Sequence, residues 1–444
     1  MTEPKLEPKR PPAHVAMSQF PVDARGELLI GGQRLSVLAE RVGQTPFYAY
    51  DRGLLKARVA ELRAILPVGV ELHYAMKANP MPAVVGWMAG LVDGIDVASA
   101  GELQVALNAG ANPHEISFAG PGKRDIELGQ AVAAGVLINV ESARELPVLA
   151  RASQRLGLPA RVALRVNPDF ELKGSGMRMS GGPKQFGIDA EVMPEVLAQV
   201  GALAGDGVSF EGFHLYAGSQ TLKADAICEA QLKSYELALR LAAAAPSPVR
   251  FLNLGGGFGI PYFPGEQRLE LAPIGDNLAA LQARARREMP AAKLVIELGR
   301  YLVGEAGVYV CRIVDRKLSR GQVYLVADGG LHHHLSASGN FGQVIRKNYP
   351  ATIQPQGRAL TQAHAHANAQ APAQAPAPAS GQAQTEVASV VGPLCTPLDL
   401  LADRLEMPRG EVGDLAVIFQ SGAYGRSASP EGFLGHPGCV EVLV

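Results

Sequence analysis

The stretch ELHYAMKANPMPAVVGWMAGLVDGIDVAS, residues 71–99, shows the unit from which most of this chain is built. A short apolar, β-branched run ends in polar residues or glycine, and an Ala- and Leu-rich stretch with helical spacing leads to the next run. The unit recurs as far as residue 300. The eight runs are ELHYAM (71–76), GIDVAS (94–99), ISFAG (116–120), LINV (137–140), RVALRVN (161–167), FEGFHLY (210–216), FLNLGGG (251–257) and LVIELGR (294–300).

Eight such units over 230 residues predict an α/β fold, a (β/α)8 TIM barrel with strands buried on both faces. A doubly wound open sheet would gather its functional groups at one switch point, whereas here polar residues or glycines follow seven of the eight runs. We therefore expect the site at the carboxyl ends of the barrel strands. The residues at or just beyond those ends are Lys77, Asp96, Asn139, Arg165, His214, Gly255, Gly256, Gly257, Glu297 and Arg300.

The sequence changes in character after about residue 305, where short strand-like runs are separated by Gly and Pro. This pattern predicts a second, mainly β domain, and the N-terminal pieces GELLI and TPFYAY are assigned to it as well. An Ala/Gln/Pro tract at 363–384 lacks periodicity and residues able to form a core. The four strand-like runs are GVYVCRIVDRKL, QVYLVADGG, DLAVIFQ and CVEVLV.

The predicted organisation has three parts. Residues 1–17 form a flexible tail and residues 51–308 form the barrel. Residues 18–50 and 309–444 form the β domain, with a low-complexity surface insertion at 351–386.

Composition narrows the class of function. The 444 residues carry a formal net charge of −1, the mean hydropathy is +0.08, and no basic stripe or apolar run near the length of a membrane span occurs. The four cysteines are too far apart for a disulfide scaffold, and the charged, proline-rich start has no apolar signal region. We expect a cytoplasmic protein that binds neither nucleic acid nor membrane.

Lys77 directly follows the first barrel strand and faces the predicted barrel mouth. Burial there would lower the pKa of its ammonium group and free the amine for imine formation. The alternative is a lysine at the rim that keeps its charged end in water.

The glycines at the seventh strand end, Gly255 to Gly257, allow the backbone to approach a phosphate closely, and Arg300 after the eighth strand could grip the same phosphate. Loops after strands seven and eight are the usual phosphate site of such barrels. A tight structural turn is the alternative. Glu297 needs a cationic partner because it should be buried, and that partner could be a protonated pyridine nitrogen or Arg300 itself.

Two further features involve histidines. His214 lies on the sixth strand with Ser219 in the following loop, so it is either structural or part of a phosphate site. In LHHHL, a strand would direct His332 and His334 to one face. No Cys or carboxylate stands at ligand spacing nearby, so we predict substrate contacts or dimer packing for this run, and no metal site.

The ordered set HYAMKAN, DVASAGEL, RVNP, FHLYAGSQ, LGGGFG, E-x-GR, GPLCTPLD and SGAYG resembles the pyridoxal 5′-phosphate decarboxylases of the ornithine and diaminopimelate decarboxylase family. The resemblance covers nearly the whole chain outside the insertion. It implies an alanine-racemase-like barrel joined to a β domain, and a homodimer whose active sites are shared across the interface.

The resemblance also implies roles for individual residues. Lys77 matches the lysine of the internal aldimine, His214 the histidine stacked on the cofactor ring, and Glu297 the partner of the pyridine nitrogen. Cys395 matches the proton donor that the neighbouring subunit contributes. The other residues matching cofactor contacts are Ser219, Gly255, Gly256, Gly257, Gly299, Arg300 and Tyr424.

The acid at position 297 separates two activities of this fold. An anionic neighbour keeps the pyridine nitrogen protonated and makes the ring a strong electron sink, which suits loss of CO2, whereas racemases on this barrel carry an arginine there. We therefore expect an α-decarboxylase in which Cys395 returns a proton to Cα. An amino-acid racemase and a non-catalytic cofactor-binding homologue are the alternatives.

The substrate side departs from relatives that act on free diamino acids. Those relatives carry an acid after the cysteine, where Thr396 and Pro397 stand here, and diaminopimelate decarboxylases carry an arginine where Ser336 aligns. The histidine run and GPLCTP resemble a subgroup that includes a decarboxylase of glutamyl groups on an acyl carrier protein. The implied substrate is an amino acid or a carrier-protein-bound aminoacyl group, contacted by Thr396, His332 and His334.

Overall fold

A computed structural model describes residues 13–170, 182–343, 345–356 and 384–444, together with the backbone of residues 177 and 178. Part of the predicted flexible tail therefore lies outside the described residues. The described part is attached to the rest of the protein, because the Ala13 carbonyl accepts a hydrogen bond from Gly265 N at 2.9 Å. His14 Nε2 also lies 2.8 Å from the Asn348 carbonyl oxygen, so the prediction of a tail reaching residue 17 was too long.

The first elements precede the barrel. They are β1 (Leu29–Ile30), β2 (Gln33–Arg34), α1 (Leu35–Val42) and β3 (Phe47–Tyr50).

The barrel follows as alternating helices and strands. In chain order they are α2 (Arg52–Ile65), β4 (Val70–Ala75), α3 (Pro82–Ala89), β5 (Gly94–Val97), α4 (Ala100–Asn108), β6 (Ile116–Phe118), α5 (Asp125–Ala134), β7 (Leu137–Val140), α6 (Glu145–Leu156), β8 (Ala160–Asn167), β9 (Met177–Arg178), β10 (Ile188–Asp189), α7 (Met193–Ala202), β11 (Val208–Leu215), β12 (Gly218–Ser219), α8 (Ala224–Ala242), β13 (Phe251–Gly256), α9 (Ala272–Glu288), β14 (Lys293–Leu298) and α10 (Arg300–Val303).

Eight parallel strands close into the predicted barrel, in the order β4, β5, β6, β7, β8, β11, β13 and β14, and β14 pairs with β4. Each of the eight sequence runs supplies one strand, so the fold prediction is confirmed. The register places Glu297 of β14 opposite His73 of β4 and Gly256 of β13 opposite Glu297. This register brings the three carboxyl ends next to each other at the barrel mouth.

Local signals set where some of the helices start. The Asp51 side chain accepts a hydrogen bond from Leu54 N before α2, and Ser99 Oγ accepts one from Glu102 N before α4. Each such cap satisfies a backbone donor of the first turn and contributes about 1 kcal/mol. The strands need no such signal, because runs such as LINV are buried along their whole length between the barrel interior and the helices.

The C-terminal part is mainly β, as predicted. Its main sheet has the order β17, β20, β15, β16, β18 and β19, and β3 joins it by pairing with β15 and β21. TPFYAY therefore belongs to this sheet, whereas GELLI pairs with β2 and, at Leu28, with Val22. The strands are β15 (Gly307–Ser319), β16 (Gln322–Ala327), β17 (Ala351–Gln354), β18 (Thr385–Val391), β19 (Leu400–Pro408), β20 (Leu415–Ile418) and β21 (Val440–Leu443).

Two predictions for this part need correction. The insertion at 351–386 was drawn too wide, because Ala351–Gln354 pairs with β20 and Thr385 and Glu386 begin β18. Residues 357–383, with most of the Ala/Gln/Pro tract, lie outside the described residues. The histidine run is a tight turn and not a strand, because the amides of His333 and His334 both donate to the Gly330 carbonyl at 3.0 Å.

The β domain contacts the mouth of the barrel directly. Tyr424 N donates to the Ala78 carbonyl at 2.7 Å, and Asn79 Nδ2 donates to the Gly422 carbonyl at 3.0 Å. Ala78 and Asn79 directly follow Lys77. The SGAYG turn is thereby fixed beside the predicted cofactor lysine.

Candidate active site

A pocket of about 350 Å³ lies at the carboxyl ends of the barrel strands, and we call it the inner pocket. It brings together residues from β4, β12, β13 and β14 with Tyr424 of the β domain. Its lining is Ala75, Lys77, Tyr216, Ser219, Gln220, Gly257, Phe258, Glu297, Leu298, Gly299, Arg300 and Tyr424.

Lys77 and Glu297 face each other in this pocket. Lys77 lies in a short turn after β4, and its Nζ is 3.8 Å from Glu297 Oε1 at the end of β14. The Lys77 side chain remains 45% exposed because it faces the pocket, whereas the Glu297 side chain is only 7% exposed. Neighbouring strands therefore hold an amine and a carboxylate at one cavity.

The charge of Glu297 reverses the expected effect of burial on Lys77. Burial disfavours the ammonium form, but the negative charge of Glu297 outweighs it and raises the pKa of Lys77 well above its usual value. The sequence predicted a lowered pKa, because it did not reveal that the carboxylate lies this close. Lys77 is therefore held as an ammonium ion at neutral pH.

Glu297 has further polar neighbours. Burial acts to raise the pKa of Glu297, but the approach of His214 and the charge of Lys77 keep it well below its usual value. His214 Nε2 lies 3.2 Å from Glu297 Oε2, and Asn253 Nδ2 donates to the same oxygen at 3.4 Å. The ion pair with Arg300 that the sequence left open is not among the contacts of the described residues.

Arg300 instead contacts aromatic residues. Its Nη1 donates to the Tyr262 hydroxyl at 3.1 Å, and its guanidinium lies 4.6 Å from the centre of the Tyr424 ring. Arg300 opens α10 directly after β14, so a strand end and a helix start place it at the pocket. The cation is fixed there without a carboxylate partner to neutralise it among the described residues.

The glycine run supplies a wall that side chains could not form. Gly255 and Gly257 adopt φ values of 73° and 80°, which disfavour other residues. A Cβ at Gly257 would collide with the Gly218 carbonyl, and one at Gly256 would collide with the Glu297 carbonyl. The backbone therefore lines the pocket at Gly257, whereas Gly255 and Gly256 support that wall from behind.

Two polar side chains of the pocket, Tyr216 and Gln220, were not assigned a role from the sequence. Tyr216 lies under Lys77, with Nζ 5.6 Å from the ring centre, and burial raises the pKa of Tyr216 to about 12 despite the nearby ammonium. Gln220 has a φ of 57°, and its side-chain amide donates to the Ile260 carbonyl at 2.6 Å. Both flank Ser219 within FHLYAGSQ, so their position beside a predicted site residue was the available signal.

Cys395 and Thr396 lie on the loop between β18 and β19, away from the inner pocket. Cys395 is exposed, and Thr396 is half-buried with its Oγ1 accepting a hydrogen bond from Leu398 N at 3.3 Å. Neither residue lines the inner pocket of its own chain.

The buried Asp399 carboxylate fastens this loop. Its two oxygens accept hydrogen bonds from Leu331 N at 2.6 Å and from Leu394 N at 2.8 Å. A Cβ at Gly330 or Gly392 would collide with that carboxylate, so both glycines admit it. One acid thus connects the residue before Cys395 to the start of the histidine run, a contact that the sequence did not reveal.

The structure does not bring His332 and His334 to the inner pocket of their own chain, and their predicted contacts with substrate stay a prediction. His334 is buried, with Nε2 2.8 Å from Ser421 Oγ and its ring against Tyr48, Tyr309 and Tyr349. Burial lowers the pKa of His332 to about 4 and that of His334 to about 3. The turn, in place of a strand, accounts for this packing.

No group of three His, Cys, Asp or Glu side chains suited to hold a metal occurs among the described residues. Within that part of the chain, no helix combines the length and apolar character needed to cross a bilayer.

Comparison with known proteins identifies the family. The model of the pyridoxal-dependent decarboxylases, pyridoxal binding domain, matches residues 52–304. The L-glutamyl-[BtrI acyl-carrier protein] decarboxylase of Niallia circulans is 36% identical over 402 residues, which are 90% of this chain and 89% of the relative. The diaminopimelate decarboxylase of Aquifex aeolicus is 31% identical over 421 residues, or 94% and 91%. The chain belongs to the pyridoxal-dependent decarboxylase family.

A solved structure agrees with this assignment. The diaminopimelate decarboxylase from Helicobacter pylori, complexed with L-lysine, has a TM-score of 0.76 and 25% identity, and the match covers 92% of this chain and 93% of that one.

The residues of the inner pocket fit pyridoxal 5′-phosphate, which is the cofactor of this family. Lys77 offers an amine, Glu297 an anion buried among polar groups, and Gly257 with Arg300 a backbone cradle and a cation suited to a phosphate. His214 is not part of this lining but lies beside Glu297, and neither of its ring nitrogens has a well-aligned hydrogen-bond partner among the described residues.

Proposed function

We propose that this protein is a pyridoxal phosphate-dependent α-decarboxylase of an amino acid or an amino-acid conjugate, acting as a cytoplasmic homodimer with shared active sites. The observation that carries the proposal is the 3.8 Å approach of Lys77 and Glu297 inside one pocket at the barrel mouth. Membership of the pyridoxal-dependent decarboxylases supports the reaction type.

Six residues in or beside the inner pocket have a task in this proposal. Bound pyridoxal phosphate supplies an electron sink for the pair left on Cα when CO2 departs. Lys77 would hold the cofactor, Gly257, Arg300 and Tyr424 would bind its phosphate, and His214 would pack on its ring. Glu297 would keep the ring nitrogen protonated, because a buried anion stabilises a nearby positive charge.

The nature of residue 297 favours decarboxylation over racemisation. A carboxylate keeps the sink strong, whereas the permanent positive charge of an arginine at this place would disfavour protonation of the ring nitrogen and weaken the sink. The low pKa of Glu297 supports this assignment, since the carboxylate stays ionised throughout the physiological range.

We assign the return of the proton to Cα to Cys395 of the partner subunit. Its thiol is exposed on a loop that Asp399 fastens, and it does not line the inner pocket of its own chain. A homodimer in which the loop of one subunit covers the pocket of the other would supply this acid.

The proposed substrate follows from the absence of charged side chains at positions that bind substrate in relatives. Thr396 and Pro397 provide no charge for the distal ammonium of a free diamino acid, and Ser336 provides none for a distal carboxylate. The relative that acts on a glutamyl group attached to an acyl carrier protein supports a conjugate as substrate. We therefore place carrier-bound aminoacyl groups ahead of free diaminopimelate.

Release of CO2 by the purified holoenzyme tests the reaction. We expect CO2 and the corresponding amine from at least one acid in a panel of free amino acids and their carrier-bound thioesters. Lys77→Ala should release none, and borohydride reduction followed by peptide mapping should label Lys77 only in the wild type. Inversion of the substrate without CO2 would instead identify a racemase.

Hybrid dimers test the shared site. Lys77→Ala and Cys395→Ala subunits are each expected to be defective alone. After denaturation and joint refolding, statistical mixing should restore about a quarter of wild-type activity, because half of the dimers carry one intact site of two. Absence of any recovery, with dimers present by light scattering, would mean that Cys395 acts at the pocket of its own chain, and full activity of Cys395→Ala alone would place Cys395 outside the reaction.

A further inference from the structure

A second, larger cavity adjoins the inner pocket, and we call it the outer cavity. Its volume is about 1110 Å³ including its open mouth, roughly three times that of the inner pocket. Arg300 and Gln220 line both cavities, so the two meet at these side chains. A group held in the outer cavity can therefore be joined to a group reacting beside Lys77.

The inner wall of the outer cavity is aromatic. The Tyr262 and Tyr349 rings have centroids 4.6 Å apart, and Phe263 packs edge-on to Tyr349 at 6.1 Å. Tyr262 is fixed further by its hydrogen bond to Arg300. Such rigid rings bind neutral chains with amides and methyl groups through contact area.

The polar groups of the cavity are already used within the protein. Gln220 bonds the Ile260 backbone, Gln343 Oε1 accepts from Lys347 N at 2.8 Å, and Ser336 Oγ donates to the Tyr424 carbonyl at 2.7 Å. The Glu266 carboxylate accepts from Phe263 N at 3.0 Å. Among the cavity's described lining residues, the neutral polar side chains are thus engaged within the protein, and the charges left for a distal group are those of Glu266, Arg300 and Lys347.

The rim differs from the inner wall. Phe341 and Ile345 are 41% and 75% exposed, and Lys347 is exposed beside them. The rim thus offers apolar area and one cation at the solvent side. A long neutral chain that ends in a phosphodiester matches this arrangement, with the chain against the aromatic inner wall and the phosphodiester at the rim.

We propose that the outer cavity binds a pantetheine-type arm, the neutral amide chain through which an aminoacyl group is attached to a carrier, with its phosphate near Lys347. This inference rests on the proposed function, since it assumes that the aminoacyl end reacts in the inner pocket. It adds to that function a binding site for the pantetheine-type arm, which a free amino acid would leave empty.

Binding of the arm alone tests the inference. Pantetheine and 4′-phosphopantetheine are titrated by calorimetry into the holoenzyme, in which the cofactor occupies its own phosphate site. Both should bind, and Ile345→Glu should weaken both by about tenfold because it replaces apolar contact with a charge. Lys347→Ala should weaken 4′-phosphopantetheine by about two- to fivefold and leave pantetheine unchanged.

Leu318→Glu is the matched control, because Leu318 is also 75% exposed but lies on β15 and does not line the outer cavity. This variant should bind both probes as the wild type does. The inference is overturned if neither probe binds or if Ile345→Glu matches Leu318→Glu. It is also overturned if Lys347→Ala lowers both affinities alike, since the phosphate would then not lie at Lys347.

Turnover separates this inference from the proposed function. L-glutamyl pantetheine thioester is compared with free L-glutamate for CO2 release, and the thioester should have the higher kcat/KM, lowered selectively by Ile345→Glu. Equal kcat/KM values without probe binding would overturn the tether site and leave the decarboxylase intact. Probe binding without CO2 from either compound or from the wider panel would overturn the decarboxylase and retain the site.

Discussion

The two halves of the candidate site are built in opposite ways. Glu297 lies near the end of β14 and Lys77 lies in the turn after the neighbouring strand β4, so the two side chains face each other across 3.8 Å and share one pocket. Cys395 lies exposed on a loop of the β domain, fastened from behind by Asp399. The first half is complete within one chain, whereas the second is presented outward.

The two halves of the site also depend on different interactions. The charge of Lys77 depends on Glu297, so the barrel half is sensitive to single charges but not to its neighbours in an assembly. The position of Cys395 depends on backbone hydrogen bonds to one carboxylate, so the loop half is sensitive to anything that loosens that anchor. Substitutions that act on one half alone can test this division.

The largest effect is expected from Glu297→Gln. Without the anion, burial should lower the pKa of Lys77, and the cofactor nitrogen should lose the charge that keeps it protonated. We expect kcat to fall by about 10²- to 10³-fold, as for loss of a strong electrostatic contact in a buried site. In cofactor-free protein, labelling of Lys77 by an amine reagent should reach half its maximal rate at a lower pH.

Glu305→Gln is the matched control for this change. Glu305 has the same 7% side-chain exposure and pairs with Arg58 and Arg268 on the outside of the barrel. It should lower stability without moving the labelling profile of Lys77. If both variants shift that profile equally, the pKa of Lys77 does not depend on Glu297 in particular.

An intermediate effect is expected from Asp399→Asn. The amide can accept from only one of the two backbone donors, so Leu331 N or Leu394 N loses its partner, at a cost of about 1–3 kcal/mol. The Cys395 loop should then become more mobile. We expect faster alkylation of Cys395 by iodoacetamide and a kcat lowered by about tenfold, with no change in the labelling profile of Lys77.

Asp414→Asn separates loop anchoring from general stability. Asp414 is also buried in the β domain, and its carboxylate accepts hydrogen bonds from Gln356 N at 2.9 Å and Glu411 N at 2.8 Å. It should lose similar stability to urea while alkylation of Cys395 stays at the wild-type rate. Equal alkylation of the two variants would argue against a specific role for Asp399.

A last effect concerns stability in acid and leaves the chemistry of both halves unchanged. The lowered pKa values of His332 and His334, about 4 and about 3, mean that these rings stay neutral in the folded protein while an unfolded histidine takes up a proton below about pH 6.5. Stability should therefore fall as pH drops from about 6.5 towards 4, by up to about 1.4 kcal/mol per pH unit for each histidine.

Urea unfolding between about pH 7 and pH 5 measures this slope, and His334→Gln should make it shallower. Asp399 connects Leu331, at the start of the histidine run, to the Cys395 loop. Amide hydrogen exchange in acid should therefore increase in the Cys395 loop before it increases around Lys77. An unchanged slope in His334→Gln would show that the ring is protonated in the folded protein as well.

The barrel could be predicted from the sequence because parallel strands that are buried on both faces have continuous apolar sequences. LINV has the bounds of β7 as predicted, and the other runs differ from their strands by a few residues at the ends. Residues at the strand ends, such as Lys77 and Glu297, could be placed in one pocket because closure of the barrel brings those ends together.

Contacts between distant segments could not be read in the same way. The sequence did not show that Asp399 reaches both Leu331 and Leu394, or that the three histidines form a turn, since both depend on how the β domain packs. The sign of the pKa shift of Lys77 was wrong for the same reason. The pattern of apolar residues predicts where a strand lies, but the distance from Lys77 to Glu297 depends on which strands pair.

The seam between barrel and β domain limits how this protein can be divided. The backbone of Tyr424 and the side chain of Asn79 connect the two parts through hydrogen bonds at the two residues that follow Lys77. An excised barrel would leave the Ala78 carbonyl without its donor and the amine on an unsupported turn. If the barrel or the β domain is exchanged with that of a relative, the residues on both sides of this contact must therefore come from the same protein.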